Sequence, residues 1–312
     1  MARSGSYDYS RTRDQIIFGA MRLCGMKDAG QTPAAEDLAD AAETLEMMVK
    51  AWQGQGLHLW KQKEATLFVQ PGTRSYTLGP SGDNATQSYT ETTLAADAVA
   101  TDATISVTSA TGISDTYYIG IVLDSGTIQW TTVSGAPSGT DVTIADALTG
   151  DASSGNAVYV YASKIQRPLR VLSIRRENSS GTEIELELVS RDEYFELPNK
   201  TTRGVPTQAY YDPQLDIGRL YFWVIPESVD YKFNITYLEP IQDFDEAANE
   251  PDFPAEWLEA LKYGLAVRLA PEYGLDIPSR QWLKAEAEQY YNAVAMWDNE
   301  PESYFFEPDY RR

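Results

Sequence analysis

At 312 residues, with 43% hydrophobic and 23% charged side chains, the chain is long enough for one large core or two moderate ones and is globular in composition. Its apolar runs fall short of the roughly 18 residues that a membrane-spanning helix needs, which excludes a helical bilayer span. With 25 basic against 46 acidic residues and a net charge of -21, tight wrapping of nucleic acid is disfavoured, because that affinity comes from Lys and Arg displacing counterions.

An acidic surface still serves DNA by repelling it, as the wall of a channel. The single cysteine, Cys24, and single histidine, His58, exclude an internal disulfide and a histidine-based metal cluster. The polar N-terminal stretch, with Arg3, Asp8, Arg11 and Arg13, has no secretory apolar run, so the protein is expected to remain in the cytoplasm where it is made.

In chain order, a helical hairpin comes first. Thr12 with Gln15 three residues on forms a capping box for a helix bearing Ile16, Ile17, Ala20, Met21 and Cys24, stopped at Gly25. Thr32 as cap and Pro33 in the first turn open a second helix, whose Leu38, Ala41, Ala42, Leu45, Met48, Val49 and Trp52 recur at helical spacing until Gly54 and Gly56. A β-hairpin is expected next, Ala65 to Gln70 and Arg74 to Leu78 around Pro71-Gly72.

Between Arg74 and Lys164 there is no Lys or Arg, while nine acidic residues occur. Short β-branched runs at 104–108, 117–123, 127–133, 142–145 and 157–161 predict a small all-β, sandwich-like module over 80–163. Longer strands follow at 169–175, 183–189, 219–224 and 231–238. In 183–189 strict alternation puts Ile184, Leu186 and Leu188 on a core face and Glu183, Glu185 and Glu187 in water. Ser190 and Glu193 form a second capping box. Pro254 opens a helix carrying Trp257, Leu258, Leu261, Leu265 and Leu269 that Pro271 ends. The next begins at Pro278 or Ser279 and carries Trp282, Leu283, Ala287, Tyr290, Tyr291, Val294 and Trp297 on its apolar positions. The tail 298–312 mixes five acidic residues with Tyr304, Phe305, Phe306 and Tyr310 and ends on Arg311 and Arg312. So many large apolar groups in a tail call for something to cover them.

Little of this supports chemistry. His58 and Cys24 read as core or near-core residues, no Gly-rich phosphate loop is present, and the acidic runs at 243–246 and 250–252 lack the spacing of a calcium loop and read as a solvated linker. No cofactor or metal and no enzymatic activity is expected. Twenty tyrosines and seven tryptophans suit protein interfaces.

The order of these pieces resembles head-to-tail adaptor (head-completion, tail-accessory or packaged-DNA-stabilisation) proteins of short-tailed bacteriophages. The likeness is carried by 13–25, Gln31-Thr32-Pro33, Lys50-Ala51-Trp52, Gly204-Val205-Pro206-Thr207, Tyr210-Tyr211-Asp212-Pro213, 220–223 with Pro226, 240–244, 252–257 and 269–274. It spans about residues 10–79 and 165–310.

The resemblance implies an α+β chain: a helical-bundle adaptor core with β-strands over 1–79 and 164–297, an inserted β domain over 80–163, and an extended C-terminal arm over 298–312. It implies a virion protein at the head-tail junction, assembled in the host cytoplasm as a homo-oligomeric ring of about twelve copies. The ring would join the portal protein to the tail nozzle, with DNA passing through unbound and no membrane contact. Tyr304, Phe305, Phe306, Tyr310, Arg311 and Arg312 would grip the portal. The β domain departs from smaller adaptors and is expected to face outward and dock a tail fibre or spike or reinforce the tail. A fibre or collar protein with a glycan-binding β module, and a tail-associated cell-wall hydrolase, are the alternative readings.

Overall fold

The computed structural model describes residues 5–26, 30–54 and 59–297. Two compact units are present, Met1–Lys61 with Ile241–Arg312, and Gln62–Pro240. The elements run α1 (Arg13–Leu23), α2 (Ala35–Gln53), β1 (Gln62–Phe68), β2 (Ser75–Leu78), β3 (Ala85–Thr86), β4 (Thr90–Thr93), β5 (Thr104–Ser106), β6 (Tyr118–Val122), β7 (Ile128–Thr132), β8 (Asp141–Thr143) and β9 (Ala157–Tyr161). They continue as β10 (Arg170–Asn178), β11 (Glu183–Glu185), β12 (Glu187–Leu188), α3 (Arg191–Glu196), β13 (Arg203–Gly204), β14 (Gln208–Pro213), β15 (Gly218–Trp223), β16 (Ile225–Pro226), β17 (Tyr231–Leu238), α4 (Leu258–Leu269) and α5 (Ile277–Trp297). The class is α+β, with sheets prevailing over helices among the described residues, so the expectation of a helical bundle as the core of the whole chain gives way to a helical unit and a separate, larger β unit. None of the described helices is long and apolar enough to cross a membrane.

In the helical unit, Thr12 and Gln15 form the expected capping box on α1. α2 starts two residues later than the Thr32-Pro33 signal suggests: Pro33 is buried, and Ala34 stays extended at the N-cap with no side-chain hydrogen bond. One apolar core joins Ile17 and Met21 of α1, Leu45 and Met48 of α2, Leu261 and Leu265 of α4 and Leu283 of α5. The 241–254 stretch is fastened rather than merely solvated. Lys50 donates to the Ile241 carbonyl at 2.8 Å and pairs with Asp243, whose carboxyl it holds below the usual carboxylate range. The nearly buried Lys61 meets Asp252 at 2.5 Å.

In the β unit, β1 and β2 do not pair as a hairpin. The turn at Pro71-Gly72 forms, but β1 enters a five-stranded sheet, β11-β10-β17-β1-β3, and β2 a four-stranded one, β12-β14-β15-β2. The reason lies in burial: Leu67 of β1 and Tyr76 and Leu78 of β2 belong to one core, which the two sheets share as a sandwich. Phe222 of β15 meets Phe233 of β17 with ring centroids 4.4 Å apart. The alternating run 183–189 likewise splits, since β11 pairs with β10 while β12 pairs with β14 in the other sheet. Only Leu186, at the crossing, is buried, while Ile184 and Leu188 are exposed. The boundaries of the compact units thus fall at 61/62 and 240/241, where the sequence reading divides the chain at 79/80 and 163/164.

Within the β unit, strands β5 to β9 lie close to their expected positions. A four-stranded sheet, β4-β9-β6-β7, and the β5-β8 pair share a core of Leu94, Ile105, Val107, Ile119, Ile121, Val142, Val158 and Val160. β4, made of Thr90-Glu91-Thr92-Thr93, went unread because it carries no apolar alternation. The aspartates of this stretch act as loop clasps. Asp83, Asp97, Asp102, Asp115, Asp124 and Asp151 each accept a backbone N–H. Asp124 takes the Ser153 N–H at 2.9 Å, the Ser153 hydroxyl at 2.8 Å and the Asn156 amide at 2.8 Å, and these hydrogen bonds hold its carboxyl below the usual carboxylate range. A carboxylate whose folded pKa is depressed stabilises the fold above its unfolded pKa, about 3.9, and that stability is lost as pH falls through the folded pKa. Asp124→Asn is therefore expected to lower the melting temperature at neutral pH and to narrow the gap between neutral and acid melts, read by calorimetry at both.

Candidate interaction surface

α5 builds the surface with the strongest claim to function. Its start is set by Asp276, whose carboxylate is held below the usual range by hydrogen bonds from the Ser279 side chain and from the Ser279 N–H, the latter at 3.3 Å. One face buries Leu283 and Ala287, with Tyr290, Tyr291 and Val294 half-buried beside them. The opposite side carries Trp282, Ala285, Gln289, Ala293 and Met296 at three- and four-residue steps, all exposed. Trp282 is 55% exposed, Met296 77% and Trp297 87%. The sequence expectation put Trp282 and Trp297 on the buried face; they lie off it, because α5 packs on the core through Leu283, Ala287, Tyr290, Tyr291 and Val294. Exposed large apolar side chains such as Trp282 and Met296, here separated by Ala285, Gln289 and Ala293, are a feature of protein-docking surfaces.

Beside this end of α5 lies an open apolar groove of about 580 Å³, lined by Trp60, Pro254, Glu256, Trp257, Ala293, Val294 and Trp297. An indole cluster forms its floor: Trp60 and Trp257 are 5.2 Å apart, Trp60 and Phe253 5.5 Å, and Trp257 and Tyr291 5.7 Å. The sequence's site residues Tyr304, Phe305, Phe306, Tyr310, Arg311 and Arg312 lie outside the described residues, as does His58. The groove itself gave no sequence signal, because its walls come from positions about 200 residues apart.

The remaining candidates have structural occupations. Cys24 is buried, donates to the Ala266 carbonyl at 3.2 Å, and has its thiol pushed up to about 11 by burial. A thiol this far from thiolate is no nucleophile at neutral pH. Glu183 is engaged by Arg175 at 2.9 Å and by the Asn234 amide at 2.6 Å, and Glu187 accepts from Gln208 at 2.6 Å. Among the described residues no group of three or more His, Cys, Asp or Glu is gathered to hold a metal.

α5 thus presents exposed large apolar side chains beside an apolar groove, a combination found at partner-binding surfaces. The model of the SU10 adaptor protein family matches residues 129–302, more than half of the chain, and the protein belongs to that family. It is a bacteriophage adaptor, a structural protein of the virion. The match runs from β7 through the last helices into the tail. It therefore takes in residues 129–163 of the stretch read as an insertion, and leaves outside it the N-terminal pieces that carried part of the resemblance. No curated protein matches the chain.

Proposed function

We propose that the protein is a ring-forming head-to-tail adaptor of a short-tailed phage, joining the portal to the tail nozzle at the head-tail junction and lining the DNA channel. Family membership over 129–302 is the observation that carries this reading. The exposed stripe on α5 supports it, since repeated copies in a closed ring must each bury an apolar surface against a neighbour. The net charge of -21 supports a lumen that DNA crosses without being held. The proposed organisation is an adaptor core from 1–79 and 164–297, a β domain from 80–163 that faces outward to take a fibre or spike, and an arm from 298–312 that grips the portal through Tyr304, Phe305, Phe306, Tyr310, Arg311 and Arg312.

The test is native mass spectrometry of the full chain alone and with its phage's portal. Assembly into about twelve copies on the portal is the expected result; a monomer or trimer indifferent to the portal overturns the reading. Trp282→Glu with Met296→Glu is expected to leave the circular dichroism and melting temperature unchanged and to abolish ring formation, because both side chains are exposed in the protomer. A double variant that still closes the ring shows that α5 is not the copy-to-copy contact.

A further inference from the structure

We infer that in the free protein the bare flank of α5 is covered by the same flank of a second copy, the two helices antiparallel about a two-fold axis at Gln289 and each copy's Trp282 entering the other's tryptophan groove. This goes beyond the proposed ring, since it gives the unassembled protein a paired state that hides the surface a ring would use.

The first observation is a symmetry in residue order. Outward from Gln289 the exposed positions carry an alanine and then a large apolar side chain in both directions. These are Ala285 and Trp282 toward the start of α5, and Ala293 and Met296 toward its end, at steps of 3, 4, 4 and 3 residues. A two-fold axis at Gln289 therefore sets Trp282 level with the partner's Met296 and Ala285 level with the partner's Ala293. Gln289 meets its own copy, and an amide is both donor and acceptor for such a pair. The alanines let the two axes approach to about 8–10 Å.

The second is where the groove lies. At about 100° per residue, Trp282, Ala293 and Trp297 lean to the same side of Gln289. Antiparallel helices related by a two-fold axis set like sides together, so the partner's Trp282 arrives on the side of Ala293 and Trp297, two of the groove's walls. The rings of Trp60 and Trp257 give it a surface to stack on, and Glu256 in the lining supplies the acceptor that a covered indole N–H needs.

The third is charge and area. Two copies of net charge -21 repel, and contact requires a surface free of opposed carboxylates. The five stripe positions are uncharged, and Lys284 and Glu288 beside them pair with each other at 3.6 Å. Trp282 is 55% exposed, Met296 77% and Trp297 87%. Covering these side chains in both copies removes on the order of 1,000 Å² from water, the low end of specific interfaces. A contact of this size holds at about micromolar concentration and yields to one that buries more. It is isologous and closes on itself, so it does not grow into larger assemblies.

The test is Gln289→Cys in the full chain, oxidised without portal and read on a non-reducing gel. Native Cys24 is buried, so the added thiol is the reactive one. Only a residue beside the two-fold axis meets its own copy within the roughly 4.4–6.8 Å Cα separation that a disulfide needs. A linked dimer is expected, and likewise from an equal mixture of Ala285→Cys and Ala293→Cys chains, but not from Glu288→Cys. Trp282→Ala is expected to weaken the dimer of the otherwise native chain by about tenfold or more in sedimentation equilibrium. A chain monomeric at all concentrations, linkage at Glu288→Cys equal to that at Gln289→Cys, or a dimer unmoved by Trp282→Ala each overturns the proposal. Ring assembly on the portal is read separately. The oxidised Gln289→Cys dimer is expected to build no ring until reduced, and rings from the oxidised form overturn the hidden-surface part. A native chain that pairs yet never assembles on the portal defeats the ring reading and leaves the two-fold contact standing.

Discussion

Phe68→Ala is expected to cost about 3–5 kcal/mol, the usual range for removing a buried aromatic ring, and to split the unfolding of the β unit into two steps. Phe68 closes β1, with Leu67 beside it in the sandwich core and its own ring turned to the opposite face. There it meets Tyr159 at 4.7 Å and Tyr89 and Trp130 at 5.2 Å each, so one side chain of the sandwich anchors an aromatic cluster built largely from 80–163. Two polar clasps reinforce the joint. Gln70 donates to the Ile128 carbonyl at 2.5 Å and accepts its N–H at 3.1 Å, and Lys232 reaches Tyr89 at 2.9 Å and Glu91 at 3.0 Å. These remain in the variant, so the module stays tethered while its cooperative coupling to the sandwich is lost. Urea unfolding followed by both tryptophan emission and far-ultraviolet dichroism checks this; a single coincident transition at the wild-type midpoint contradicts it.

Gly264→Leu is expected to destabilise the helical unit by about 3 kcal/mol, the upper part of the range for overpacking a dense core. A Cβ at Gly264 would stand 2.8 Å from the Trp52 ring and 3.0 Å from the Met48 sulfur. Both side chains are buried and fixed by neighbours, Trp52 by Trp257 at 6.1 Å and by Tyr291 at 4.9 Å. Glycine in mid-helix forfeits about 1 kcal/mol of propensity against alanine, and here it permits the close approach of α2 to α4. Gly19→Ala is the informative control: its Cβ would meet only methylenes of one flexible side chain, the Lys262 Cδ at 3.0 Å and Cγ at 3.2 Å, and no ring or backbone. Thermal melts should separate the two sharply, and near-ultraviolet dichroism should report loss of the indole cluster only for Gly264→Leu.

Local signals carried a large part of the fold. The capping boxes at Thr12 and Ser190, the proline and glycine stops, and the β-branched runs of the 80–163 stretch are interactions within a few residues, and the elements form where those interactions place them. The family resemblance was likewise legible, because it depends on the order of such local pieces. Pairing was not. A turn at Pro71-Gly72 looks the same whether its strands join each other or part into two sheets, and the choice was made by Leu67, Tyr76 and Leu78 meeting one core. Alternation at 183–189 read as one strand because periodicity records which residues are apolar and not which neighbours cover them.

The acidic, disulfide-free character of the chain, its helical ends and β-rich middle, and the aromatic residues of its tail are legible in residue order alone. That strands on both sides of the acidic stretch close into one sandwich, that one flank of α5 stays bare, and that tryptophans about 200 residues apart meet in one groove emerges from long-range packing. The physical reason is range: caps, turns and periodicity act within a few residues, whereas burial is shared among groups that chain order does not relate.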